Sequence, residues 1–198
     1  MPNDQKKAEK KVDRRVKYSK MVIKNSFIKL LKEKSIAKIT IKEICALADV
    51  NRATFYAHYI DQYDLLHQIE SDLVDDVKDY LANYDPNAPD RTTAEMLEKI
   101  LEYIKANAEL VDLLLNANGD ISFEEDIIMI LARLDLLPTA IGKDMDQEDA
   151  EYAFLFFANG CIGVIKQWLK DGMTKPTHDT ALLIYDLITK GQEKFFLR

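Results

Sequence analysis

At 198 residues and 47% hydrophobic content, the chain is long enough to bury a full core and too apolar for a disordered tail. Its formal net charge of −7 hides a division: residues 1–60 hold 15 Lys and Arg against 6 Asp and Glu, a net of +9, whereas residues 61–198 hold 12 against 28, a net of −16. A basic end on an acidic body suits a polyanion held at one end and repelled elsewhere, although a charge run by itself is often only a solvated face.

Six Gly and five Pro are few, and apolar residues recur at spacings of three and four, which predicts an all-α fold. No apolar run follows the charged first residues, so no secretory signal is expected and the chain should be cytoplasmic. The most apolar stretch, AFLFFANGCIGVI at 153–165, is shorter than the roughly 20 residues a membrane span needs and contains Asn159, so no membrane partner is expected. Cys45 and Cys161 stand alone within helical patterns, without metal or redox spacing, and read as small core residues.

In chain order, a basic arm over residues 1–13 is expected to be disordered, with Lys6, Lys7, Lys10 and Lys11 expected to meet DNA phosphates. A first helix follows from Arg14 to Lys34 around the stripe Ile23, Phe27, Leu30 and Leu31. Thr40 with Glu43 forms a capping box that opens a short helix facing inward through Ile41, Ile44, Cys45 and Ala48. Asn51 caps a third helix over Arg52–Tyr59, and Asp61 caps a long fourth through Leu65, Leu66, Ile69, Leu73, Val77 and Tyr80. DPNAPD at 85–90 breaks the pattern. Thr92 with Glu95 opens a helix through Met96, Ile100, Tyr103 and Ile104, and a further one covers Leu110–Leu115 before a turn at 116–120. Ser122 with Glu125 starts a helix ending by 136–138, and two long helices close the chain over Gln147–Lys170 and Pro176–Phe196. These elements divide into the arm, a helix-turn-helix domain over residues 14–60 and a larger helical domain over 61–198.

Two short helices joined by Asp49, Val50 and Asn51 match the helix-turn-helix of DNA readers. At about 100° per residue, Phe55 and Tyr59 fall within about 40° of each other and face inward. The opposite arc holds Ala53, Thr54 and Ala57, small enough to let the backbone lie deep in a major groove and with methyls suited to thymine. Arg52, Tyr56 and His58 flank that arc, placed for phosphates or, for Arg52, a guanine edge. Singly, each of these is as well explained as an ordinary surface residue; jointly, with the capped neighbour and basic arm, they point to double-stranded DNA. Asp49 sits where the turn requires a left-handed backbone, which Asp tolerates better than most non-glycine residues.

The segment ITIKEICALADVNRATFYAHYIDQYDLL resembles the DNA-binding part of the tetracycline-repressor (TetR) family over residues 20–66, with Thr40, Ile44, Ala48, Val50, Thr54, Phe55, Tyr56, His58, Tyr59 and Leu65 at the family pattern's positions. The resemblance implies phosphate contacts from Thr40, Tyr56 and His58 and base contacts from Arg52, Ala53 and Thr54. Where the family has Lys at the start of its fourth helix this chain has Gln62, which turns a charged phosphate clamp into a neutral one. It also implies a homodimer in which the last two helices form a four-helix bundle with their mates, while helices four to eight enclose an effector pocket.

Small residues Ala158, Gly160, Cys161 and Gly163 agree with such an interface, since each Gly costs a helix about 1 kcal/mol and close helix approach would compensate. A tight packing point within one chain is the alternative reading. Segments 103–120 and 156–173 are similar, more weakly, to a TetR branch that includes coactivators of dihydroxyacetone kinase operons. Tyr103, Met129, Phe154 and Phe157 are candidates for lining an effector pocket, although apolar residues at helical spacing more often form plain core.

An enzyme is not expected: His58, His67 and His178 lack ligand spacing, no P-loop or zinc-protease motif occurs, and Asp75 and Asp76 read as helix surface. No metal or cofactor is expected. The functional expectation is a dimeric regulator, a repressor released from a palindromic operator by a small-molecule or protein effector. The alternative is a coactivator or scaffold on the same fold, controlled by a protein partner.

Overall fold

The computed structural model describes the backbone of residues 2–82, 92–118, 123–125, 127–129 and 146–193, and within these the side chains of 14–79, 92–115, 123–125, 127–129 and 146–190. Among the described residues every regular element is helical, so the chain is all-α as its periodicity predicts. Two compact units are present, residues 1–72 and 73–198. The division falls twelve residues after the boundary expected at 60, because Leu65, Leu66 and Ile69 of the fourth helix are buried with the first unit.

The first unit contains α1 (Pro2–Glu33), a 3-10 turn at Ile36–Lys38, α2 (Ile41–Ala48), α3 (Arg52–Tyr56) and the start of α4 (Gln62–Ala82). Helix α1 packs on α2, and α2 on α3. The α1 stripe buries Ile23, Phe27 and Leu31, while Leu30 is half-buried. The helical backbone begins at Pro2, well ahead of the expected Arg14, and so replaces the disordered arm. Gln, Lys, Ala and Glu at 5–11 are good helix formers, and Pro is tolerated in a first turn. The side chains of Lys6, Lys7, Lys10 and Lys11 lie outside the described residues.

The second unit contains α5 (Thr93–Ala106), α6 (Ala108–Asp112), a π-helical turn at Leu113–Asn118, α7 (Gln147–Lys170) and α8 (Thr177–Glu193). Helix α5 packs along α8, α6 against α7, and α7 against α8. The expected turn from 116 is instead π-helical through Asn118. Leu113, Leu114 and Leu115 are all buried, and a wider turn keeps three successive side chains closer to one face than an α-helix does. The expected break at 85–90, the Ser122 cap and the helix end at 136–138 lie outside the described residues.

Helix α7 has the predicted bounds. Asp146 caps its start, its side chain accepting from Asp149 N–H at 2.9 Å. At its end the Gly172 N–H donates to Leu169 O and the Met173 N–H to Trp168 O, both at 2.9 Å, the paired bonds of a Schellman stop. Gly172 (φ 69°) supplies the left-handed residue this stop needs. The Trp168 indole N–H then donates to Lys175 O at 2.8 Å and ties down the connection to α8.

Candidate nucleic-acid interface

The start of α2 is set by the predicted reciprocal pair. The Glu43 N–H donates to Thr40 Oγ1 at 3.3 Å, while the Thr40 N–H and hydroxyl donate to Glu43 Oε2 at 2.9 and 2.8 Å. Lys34, read in the sequence only as a helix end, adds an ion pair to Glu43 Oε1 at 2.6 Å. The Lys34 ammonium, with the Thr40 donors, holds the Glu43 carboxyl down to about 2. Since the folded value lies below the ordinary 4.5, this contribution to stability is complete above pH 4.5 and is lost as pH falls toward 2. Glu43→Gln should therefore make the acid limb of a stability-versus-pH curve shallower in that window. The Thr40 hydroxyl proton is already given to Glu43, so a phosphate would have to draw it away from the cap.

Asp49 ends α2 with φ 52° and ψ 45°, the left-handed backbone expected there. Asp49→Val should lose about 1–2 kcal/mol in chemical denaturation, because a β-branched side chain crowds the following carbonyl in this conformation. Asp49→Gly has no Cβ to crowd and should show no such loss.

Asn51 then opens α3: its Oδ1 accepts from the Thr54 N–H at 2.8 Å and from the Thr54 hydroxyl at 3.1 Å. Helix α3 is shorter than expected, ending at Tyr56 instead of Tyr59, because the His58 N–H turns back three residues to Phe55 O at 2.9 Å. The predicted faces hold despite this. Phe55 is fully buried and Tyr59 nearly so, with ring centroids 5.5 Å apart. Burial pushes the Tyr59 hydroxyl pKa up, with the Asp72 and Asp64 carboxylates adding to it, as befits a packing residue. Arg52, Ala53 and Ala57 are exposed, and Thr54 and His58 half-buried. Tyr56 stands edge-on to Phe55 at 5.7 Å and remains 55% exposed.

At the start of α4, Asp61 Oδ1 accepts from the Tyr63 and Asp64 N–H groups, both at 2.9 Å. The Ile60 N–H donates to Asp64 Oδ2 at 2.8 Å. Gln62 is half-buried beside these carboxylates. Residues 60–64 therefore carry no cation for a phosphate, and the Ile60, Tyr63 and Asp64 N–H groups already have acceptors. Asp64 as a partner was missed in the sequence, where an acid three residues after an N-cap could have signalled it.

In the second unit, burial pushes the Tyr103 hydroxyl up to about 12, reinforced by its bond to Asp76 Oδ2 at 3.0 Å. Asp76, read as plain helix surface, thus has a partner on α5. Tyr103, Phe154 and Phe157 are half-buried, and Met129 is 57% exposed. Cys45 and Cys161 are buried thiols, and burial pushes Cys161 up to about 11, as the core reading requires.

The small residues of α7 separate into two faces. Ala158, expected at the dimer interface, is 1% exposed and belongs to the protomer's core, half a turn around from its neighbours. Gly160 and Gly163 are exposed, and among the described residues a Cβ built on either meets no atom within 4 Å. Close packing against the described residues is therefore not what makes them glycine. Beside them Tyr152, Leu155 and Phe156 are exposed, the last at 74%, as are Leu182, Leu183 and Leu187 on α8. Sequence periodicity did not single out these six residues.

Comparison with known proteins agrees with this architecture. The family model for a transcriptional regulator C-terminal region matches residues 91–190. Over 102 residues, 51% of the chain, the sequence is 32% identical to the HTH-type transcriptional regulator YxbF of Bacillus subtilis. That match spans 26% of YxbF, about a quarter of the curated relative's length. A TetR transcriptional regulator from Streptococcus agalactiae superimposes with TM-score 0.67 at 27% identity, covering 89% of this chain and 97% of that one. The dihydroxyacetone kinase operon activator DhaS shares the fold, with TM-score 0.56 at 15% identity over 89% of this chain and 97% of its own. No helix among the described residues is long and apolar enough to cross a membrane. With its second half matched by that family model and its first unit built as a capped helix-turn-helix, the chain belongs to the TetR family of transcriptional regulators.

Proposed function

We propose that the protein is a homodimeric repressor that binds a palindromic operator through α3 and is released by an effector held in the second unit. The observation that carries the reading is the division of α3 and the turn after it: Phe55 and Tyr59 are buried, which leaves Arg52, Ala53 and Ala57 exposed together for a major groove. Arg52, Ala53, Thr54 and Ala57 face bases, while Tyr56, His58, Thr40 and Gln62 meet the sugar-phosphate backbone. Dimerisation uses the exposed face of α7 and α8 around Gly160 and Gly163, which brings two α3 helices to one duplex. Tyr103, Phe154 and Phe157 line the effector site, and an effector that competes for the Tyr103 hydroxyl would release Asp76 on α4.

Selection from a random duplex library should return an inverted repeat whose half-site centres lie about 34–36 Å apart, or a multiple of that spacing. Recovery of single, non-repeated sites would overturn the dimeric reading. Recovery of no preferred sequence would overturn DNA reading by α3.

A further inference from the structure

We infer that the segment Arg14–Met21 of α1 is a second DNA-binding element, holding phosphates that flank the half-site read by α3; the inference rests on that reading of α3. Seven of these eight residues are exposed and Ser19 is half-buried, so this stretch of helix has no covered face within its own unit. The segment continues into the buried stripe of Ile23 and Phe27, so it is held as a helix while its own side chains stay open to a partner.

The charges identify that partner. From Arg14 to Lys32 the sequence carries seven Lys and Arg and no Asp or Glu. Lys24 is tied to Asp72 at 3.4 Å, but Arg14, Arg15 and Lys20 form no ion pair among the described residues. At about 100° per residue, Arg14, Arg15, Lys17 and Lys20 fall near 0°, 100°, 300° and 240°, so the cations spread over roughly 220° of the circumference. A flat anionic membrane would call for cations on one face and apolar residues on the other. Here exposed Val16, Tyr18 and Met21 are interleaved with the cations instead of gathered opposite them. A helix with cations over more than half of its circumference suits a concave polyanion, and duplex DNA with phosphates on both walls of a groove has that form. The element also compensates for the start of α4, where Gln62 sits beside Asp61 and Asp64 with no cation.

The test compares the full-length protein with the triple variant Arg14→Gln, Arg15→Gln, Lys20→Gln on duplexes that the unaltered protein selects from a random library. All three side chains are exposed, and an unchanged circular dichroism melt confirms that the fold is retained. If two protomers each lose three phosphate contacts, the slope of log affinity against log salt should become shallower by about 5. The preferred sequence should stay the same, and trimming the DNA outside the half-sites should weaken the unaltered protein more than the variant. An unchanged slope with the same preferred sequence would overturn the inference and leave the reading of α3 intact. A changed preferred sequence would show these residues reading bases and would overturn their role as phosphate holders. Loss of binding to phosphatidylserine vesicles in the variant, with an unchanged DNA slope, would assign the element to a membrane and also overturn it.

Discussion

Gly163→Leu should leave each protomer folded and convert the protein from dimer to monomer. Among the described residues nothing lies within 4 Å of a Cβ at Gly163, so the new side chain meets no obstacle from them. Replacing an exposed helical Gly should even raise the protomer's intrinsic helix stability by about 0.8–1 kcal/mol. The same Leu would stand in the proposed dimer surface of α7, and overpacking there would separate the helices. Sedimentation velocity reads the oligomeric state and circular dichroism the fold. Loss of the second half-site contact should weaken operator binding by about 10²- to 10⁴-fold, the usual range for losing a linked second site. A variant that stays dimeric at the unaltered protein's concentration would place the interface elsewhere. Phe156→Glu is an independent check, because this side chain is 74% exposed in the protomer and its replacement disturbs little inside it.

Within α3, Arg52→Ala and Thr54→Ala should change which base pair is preferred at single positions, by about 1–3 kcal/mol each. Arg52 is exposed at the first residue of the helix, with its fork of donors able to span a guanine edge. The Thr54 hydroxyl already donates to Asn51, which leaves its methyl as the group with sequence information to offer. Tyr56→Phe should instead weaken all duplexes alike, since it keeps the ring against Phe55 and removes only a hydroxyl. Selection from a random library measures both effects together. If Tyr56→Phe shifted the preferred sequence and the other two did not, the base-facing side of α3 would be wrong by about a quarter turn.

The sequence by itself determined what depends on residues within about one helical turn of each other. Thr40 with Glu43, Asn51, Asp61 and Thr92 with Glu95 all cap helices as their spacing predicts, because a cap closes within three residues and needs no distant partner. The inward place of Phe55 was legible for the same reason, whereas Tyr59 joins it from the turn after α3, with ring centroids 5.5 Å apart. Tertiary structure decided the rest, since burial and pairing sum over residues far apart in the chain. Ala158 and Gly160 look alike in the sequence, yet one is core and the other surface. Lys34 and Tyr103 gained partners nine and 27 residues away, Glu43 and Asp76, that no local spacing indicates. Three successive buried leucines turned an expected loop into a π-helical turn, because the core they enter, not their own propensity, sets which way each must face.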